Sequence, residues 1–372
     1  MPRTILDDLV KMKEIDKGGM LSYCVNAPKH YEEAAEEARK TKLDSSKPQR
    51  IIVAGMGGSA ISGELVKDWG KDTVAVPIDV CRDYRLPAHA NEETLAFISS
   101  YSGETEETLS CLLDAIKKRC KVFCISSNGT LLKIADELRL QTLKIPEGFP
   151  SRAALPYLLM PILVFLEKLG LAQNVWEEIS EAISVLEHVC SENGPEIALE
   201  ENPSKSLAAK IDGKIPVIYG FGFYRSVAQR FKQQFNENSK IPAFWNSFPE
   251  LDHNEIAGWE RARRLAKHFS VVLLRDKNEP AEVKCRIEAT KEILDSIGME
   301  TNEVWSVGRG KLSRMLSAIL VGDFASVYLA ILRRVDPTSV EAITRIKEAA
   351  AKTGTKKKII EELKGLIKHG LG

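Results

Sequence analysis

Through the first half of the chain, short apolar runs alternate with stretches of helical periodicity. The runs lie at residues 51–54, 74–79, 95–99, 121–126 and 140–145, and the helical patterns near 61–69, 106–119 and 130–138. Runs this short and this continuously apolar fit strands buried on both faces, and their alternation with helices predicts βαβ units and a parallel sheet. A helical segment, residues 6–12 and then 32–39, precedes the first strand. After a long helical stretch over 155–190 the pattern begins again: Ile215-Pro216-Val217-Ile218-Tyr219-Gly220-Phe221-Gly222-Phe223 echoes Ile51-Ile52-Val53-Ala54-Gly55-Met56-Gly57, with further strands expected at 270–274 and 303–307. Internal duplication is the economical explanation. The expected fold is therefore α/β, with two doubly wound parallel-sheet subdomains. The boundaries are an N-terminal helical segment (1–45), a first subdomain (46–172), a helical linker (173–202), a second subdomain (203–347) and a C-terminal extension (348–372). In that extension Ile359, Ile360, Leu363, Leu366 and Ile367 mark one helical face, which suits docking on the protein's own surface or on a second subunit.

Two of the predicted strand-to-helix turns carry chemistry. Ser100-Tyr101-Ser102-Gly103-Glu104-Thr105 joins a strand to a helix with small hydroxyls and a glycine. Such residues, with the first N–H groups of a helix, converge donors on a dianionic phosphate, and the helix dipole favours negative charge there. A plain N-cap followed by an acidic turn uses the same residue types. The second turn, Gly55-Met56-Gly57-Gly58-Ser59-Ala60, brings backbone N–H groups close to a ligand. It also reads as GxGxxA, with Asp79 near the end of the next apolar run, where a dinucleotide site places its ribose-binding acid. A bound dinucleotide gives the serine-rich loop no role, so the phosphate seat is the stronger reading. It comprises Ser59, Ser100, Ser102 and Thr105 with the backbone N–H groups of Gly57, Gly58 and Gly103.

Composition narrows the ligand class. Lysine plus arginine (52) balance aspartate plus glutamate (52), so no global field draws the chain to nucleic acid or to an acidic membrane. A small ligand held by a local site is expected. The seven cysteines form no CxxC pair and read as reduced thiols of a cytoplasmic protein; no metal-ligand spacing appears. The first twenty residues are too charged for a secretory signal, and the apolar segment 153–166 is shorter than the roughly 20 residues of a membrane span.

The pair Gly-x-Gly-Gly-Ser (55–59) and Ser-x-Ser-Gly-x-Thr-x-Glu-Thr (100–108) resembles the first half of a sugar isomerase (SIS) domain. Further motifs fall in the matching order: PSRAALP (150–156), NENSK (236–240), ELDHNE (250–255) and DPTSVE (336–341). Over most of its length the chain resembles the bifunctional phosphoglucose/phosphomannose isomerases of that superfamily. The resemblance implies two SIS-type subdomains, no cofactor or metal, a sugar phosphate substrate and a homodimer. Aldose-ketose interconversion through a cis-enediolate is the implied reaction; a non-catalytic sugar phosphate sensor would share the hydroxyl loop, and a dinucleotide-dependent oxidoreductase the GxGxxA turn.

By the same resemblance Glu237 is the proton-transferring base and His253, sixteen positions on, the group that opens the sugar ring. On sequence grounds Asp252 and Glu255 flank that histidine and could hold its tautomer. The family draws the histidine from the other subunit. Arg152 matches the arginine facing the developing enediolate, a charge that a permanent guanidinium suits. Lys347 matches the C-terminal lysine thought to assist ring opening, with Arg345 and Lys352 nearby. Thr338 stands where single-specificity relatives carry a glutamine that restricts rotation about C2–C3. Family members commonly end soon after the lysine, whereas this chain continues through Gly354-Thr355-Lys356-Lys357-Lys358.

Overall fold

The computed structural model describes residues 4–368; His369 and the outermost ends of the 1–45 and 348–372 segments lie outside the described residues. The chain forms two compact units, one comprising His30–Trp176 with the residues from Val340 onward, the other the residues up to Lys29 with Glu177–Ser339.

The first of these is built on five parallel strands, β1 (Arg50–Ala54), β2 (Ile78–Cys81), β3 (Thr94–Ser99), β4 (Lys121–Ser126) and β5 (Gln141–Lys144), in the order β2-β1-β3-β4-β5. β1 and β3 are almost wholly buried, as strands covered on both faces must be. The second strand begins later than its apolar run suggests. Val74 folds back against Gly70, where a Cβ would lie 2.8 Å from the valine side chain, so residues before Pro77 form the turn rather than the sheet. The helical stretch after the sheet is two helices, Leu155–Lys168 and Val175–Asn193, because Gly170 takes a left-handed φ of 64° between them. The C-terminal helix Thr355–Lys368 packs on Glu106–Lys117, with Leu363 and Ile359 buried among Leu109, Leu112 and Ile134 and with Ile360, Leu366 and Ile367 at the margin.

In the other unit β6 (Ile215–Phe221), β7 (Phe244–Phe248), β8 (Phe269–Arg275) and β9 (Glu300–Trp305) are parallel in the order β7-β6-β8-β9. That order is β2-β1-β3-β4 over again, so the repeat seen in the sequence is a repeat of topology. The helix Lys311–Leu332 is 22 residues long and apolar enough to cross a membrane by length and composition, yet 83% of its apolar window is buried inside the protein. It packs on Tyr224–Glu237 closely enough that a Cβ on Gly322 would sit 2.5 Å from the Phe231 ring. The N-terminal helical segment divides at Lys29: Leu6 is fully buried, and Asp7 accepts hydrogen bonds from the Leu199 N–H (3.0 Å) and the buried Lys205 ammonium (3.3 Å), tying that end to the second-sheet unit.

Candidate active site

In the first-sheet unit three segments meet at the carboxyl ends of β1 and β3. Since β2 follows β1 on one side and β3 lies on the other, this is the switch point where ligands of such sheets bind. Gly57, at φ 52°, turns the chain from β1 into the helix Gly58–Gly70. Gly55 passes so close to β3 that a Cβ there would lie 2.7 Å from the Ser99 carbonyl oxygen, and a Cβ on Gly58 would lie 3.0 Å from that of Ser151. The two hydroxyl-bearing loops touch where the Tyr101 N–H donates to Ser59 Oγ at 3.3 Å. Ser100 Oγ donates to Thr105 Oγ1 at 3.0 Å. Neither Gly57 nor Thr105 provides a side-chain cap for the helix that follows it, so two positive helix ends stand uncapped by side chains at one place. Arg152 lies in the turn Ser151–Ala154 with its side chain buried, and its Cα is 3.6 Å from where a Gly58 Cβ would be. Ser102 is exposed at the rim. Gly103 serves the loop differently from expectation: its N–H donates to the Ser100 carbonyl at 3.1 Å and so is engaged within the loop itself.

A third strand end supports this cradle, and the sequence reading passed over it. Ser126 Oγ donates to the Ser100 carbonyl at 2.6 Å and Ser127 Oγ to that of Tyr101 at 2.6 Å, while the Tyr101 hydroxyl accepts the Phe149 N–H at 2.7 Å. The signal was a third small polar run, Ser126-Ser127-Asn128, at a strand terminus. Asp79 does not stand where a ribose would need it. It pairs with Ile52 in mid-strand, two residues short of the end of β2, and meets His89 (3.0 Å) and Lys67 (3.9 Å).

In the second-sheet unit Glu237 is the last residue of Tyr224–Glu237. That helix runs back from the carboxyl end of β6, so Glu237 stands at the amino edge of the sheet, ahead of β7. Lys240, at φ 55°, folds under it: the ammonium donates to the carbonyls of Glu237, Asn238 (3.4 Å) and Pro337 (3.2 Å). This brings Glu237 and Thr338 to one end of the unit. Thr338 donates its N–H to Asp336 at 2.8 Å and packs against Gly18, where a Cβ would lie 2.1 Å from Thr338 Oγ1.

His253 follows β7 and therefore stands at the opposite, carboxyl edge. Its side chain is exposed and, among the described residues, has no hydrogen-bond partner. The two acids expected to hold it are engaged elsewhere. Asp252 accepts from Thr290 (3.0 Å) and Arg286 (3.2 Å), and Glu255 from Tyr219 (2.5 Å) and Asn246 (2.7 Å), because the short turn aims both carboxylates at the neighbouring strands and helix. Lys347 lies on Glu341–Ala351, a helix with no buried residue, in the first-sheet unit. Among the described residues no three His, Cys, Asp or Glu side chains group as metal ligands.

A sequence model described as "Bacterial phospho-glucose isomerase C-terminal SIS domain" matches residues 200–349. The chain is 37% identical over 335 residues to a bifunctional phosphoglucose/phosphomannose isomerase of Caldicellulosiruptor bescii, covering 89% of this chain and 99% of that one. It is 36% identical over 303 residues to the enzyme of the same name from Aquifex aeolicus, covering 81% and 90%. Among solved structures, a hypothetical protein from Thermus thermophilus superposes with a TM-score of 0.72 over 94% of both chains at 14% identity, a likeness of fold.

Proposed function

Since the chain belongs to the bifunctional phosphoglucose/phosphomannose isomerases of the sugar isomerase superfamily, it interconverts glucose 6-phosphate and mannose 6-phosphate with fructose 6-phosphate, and we propose how its residues divide that work. The substrate phosphate is held by Ser59, Ser100, Ser102 and Thr105 with the N–H groups of Gly57 and Gly58. The observation that carries this placement is the convergence of the two loops and two positive helix ends at the switch point of the first sheet. With the sugar ring opened by His253 and Lys347, the Glu237 carboxylate takes the C2 proton of the aldose. The released electron pair forms the cis-enediolate, whose charge faces the Arg152 guanidinium, and return of the proton to C1 gives the ketose. At Thr338 a small side chain leaves the C2–C3 bond free to rotate, so either face of C2 reaches Glu237 and both hexoses are accepted.

The homodimer belongs to this proposal, and one feature of the second sheet supports it. Within one chain Glu237 and His253 are separated by the whole of β7, five residues, or about 17 Å at ~3.3 Å per residue. Two groups that act on one open-chain sugar at such a remove are better supplied by two chains, with His253 crossing the interface. The direct test of the base is Glu237→Gln. Turnover falls about a hundredfold or more while fructose 6-phosphate affinity is retained; near-normal turnover removes Glu237 from the reaction.

A further inference from the structure

The C-terminal helix does more than cover an apolar patch, because its first turn grips both acids that flank Thr105. The Lys356 N–H donates to Glu106 Oε2 at 2.9 Å, and its ammonium pairs with Glu104 Oε2. Glu104 in turn accepts the N–H (2.7 Å) and hydroxyl (2.9 Å) of Thr130, at the start of the helix Gly129–Glu137. Glu106 accepts the Tyr84 hydroxyl at 2.8 Å. Behind this clamp Leu363 and Ile359 are buried, and Lys117 and Glu362 pair at 2.7 Å, which fixes the helix along Glu106–Lys117. Loop 102–106 is thus held from the Thr130 side and from the Lys356 side through one carboxylate.

Two acids beside a dianion seat are an electrostatic liability, since like charges a few ångströms apart oppose binding unless each is paired. We propose that Lys356 is a positioning residue for substrate binding: by pairing with Glu104 and capping onto Glu106 it neutralises the acidic side of the phosphate loop and fixes the loop's place against the C-terminal helix. The proposal rests on the assignment of that loop to the substrate phosphate. The helix dipole adds to the effect, since the positive end of Thr355–Lys368 is presented to the loop.

Steady-state kinetics on the full chain separate the possibilities, with fructose 6-phosphate as substrate and inorganic phosphate as competitive inhibitor. In Lys356→Ala the KM and the phosphate inhibition constant rise together by about two- to fivefold, the upper range for a partly exposed charge pair, while kcat is unchanged. Lys356→Arg retains the wild-type values. In Glu104→Gln/Lys356→Ala both constants return toward those of Glu104→Gln alone, because the charge that Lys356 offsets is gone; this comparison stands even if Lys356→Ala loses stability. Ser102→Ala, which touches the loop directly, reports on the underlying assignment. If Ser102→Ala weakens phosphate inhibition and Lys356→Ala does not, the clamp is wrong and the loop assignment stands. If Ser102→Ala leaves both constants unchanged, the loop assignment fails and the clamp with it. A fall in kcat alone in Lys356→Ala also overturns the proposal.

Discussion

Gly103→Ala should disable the phosphate loop, and the structure fixes how much of the damage is backbone strain and how much is collision. At φ 65° the glycine adopts a left-handed conformation that costs an L-residue roughly 1–2 kcal/mol. A Cβ there would also fall 1.8 Å from the Asn128 carbonyl oxygen, 2.8 Å from its carbon and 2.9 Å from Ser126 Oγ. Two of those atoms are backbone and cannot swing away, and the third is held by its 2.6 Å hydrogen bond to the Ser100 carbonyl. The loop must therefore shift by more than an ångström, a displacement able to cost about a hundredfold in kcat/KM at a reacting site. Gly170→Ala is the control: its φ is 64° and nothing lies within 4 Å of the added methyl, so it carries the strain without the collision. Thermal melts and fructose 6-phosphate kinetics on both variants separate the two terms. Gly170→Ala loses roughly 1–2 kcal/mol of stability and keeps its KM, whereas Gly103→Ala loses more and raises KM at least tenfold. Equal melting points with an unchanged KM for Gly103→Ala would refute the packing argument and the loop's role together.

Three further outcomes follow from the same contacts. Mixing Glu237→Gln with His253→Ala chains under subunit exchange should restore roughly a quarter of wild-type activity, since about half of randomly formed dimers are mixed and each carries one intact site; verified heterodimers without activity would place both residues in one chain's site or remove one of them. Leu363→Ala removes a fully buried side chain from the contact between the C-terminal helix and Glu106–Lys117. It should cost about 2–5 kcal/mol in that unit, and hydrogen exchange over 355–368 should rise first; unchanged protection would mean the helix does not depend on this contact. Burial pushes the Glu181 carboxyl upward, but the N–H groups of Arg309 and Gly310 and the Ser313 hydroxyl outweigh it and hold the group below its ordinary value of 4.5. A depressed folded-state value means stability that is full above about pH 4.5 and lost as pH falls through the lower value. Glu181→Gln should therefore melt lower than wild type at pH 7, by about 1 kcal/mol, with the gap closing in acid; a gap that persists at low pH would contradict it.

The sequence made the first sheet legible because its strands are covered on both faces and so are continuously apolar. It was less legible at the edges. β9 begins at Glu300 rather than at Glu303 because its early residues, Glu300 to Asn302, are polar and carry no apolar run on an edge strand. The division of the N-terminal segment at Lys29 has no local signal, since it depends on the reach of Asp7 to Lys205 across nearly two hundred residues. The same contrast governs the site. That the loops carrying Gly57, Ser59, Ser100 and Thr105 come together was readable because a strand-to-helix turn confines polar groups to a few consecutive residues at one edge of the sheet. The environment of His253 was not readable: adjacency in ELDHNE suggested that its neighbours hold it, and a single short turn instead sends Asp252 to Thr290 and Glu255 to Tyr219.

The two sheets repeat one strand order without repeating one chemistry, and a single pair of positions shows how their two switch points differ. Ser100 is the first residue after β3, and Asp276 is the first after β8, the strand in the matching place. The turns from β1 and β6 also correspond, with Gly57 at φ 52° and Gly222 at φ 50°. In the first copy the switch point is lined by hydroxyls and uncapped N–H groups. In the second it is filled from within: the buried Asp276 carboxylate accepts the Tyr224 hydroxyl (2.7 Å), Arg314 (2.6 Å) and the Asn278 N–H (2.8 Å), and the Tyr224 hydroxyl also meets Ser306 at 2.5 Å. A buried carboxylate with its own cation and hydrogen bonds is stable as it stands, and a dianion brought to the same point would meet its charge. With that edge closed to an anion, the groups assigned to the reaction in the second copy lie away from its switch point: Glu237 and Thr338 stand at the amino edge of the sheet, and His253 stands on the exposed turn beyond β7. The two copies share one scaffold, and serine against aspartate at the matching strand end is the difference on which the proposed division rests, with the phosphate in the first copy and the reacting groups in the second.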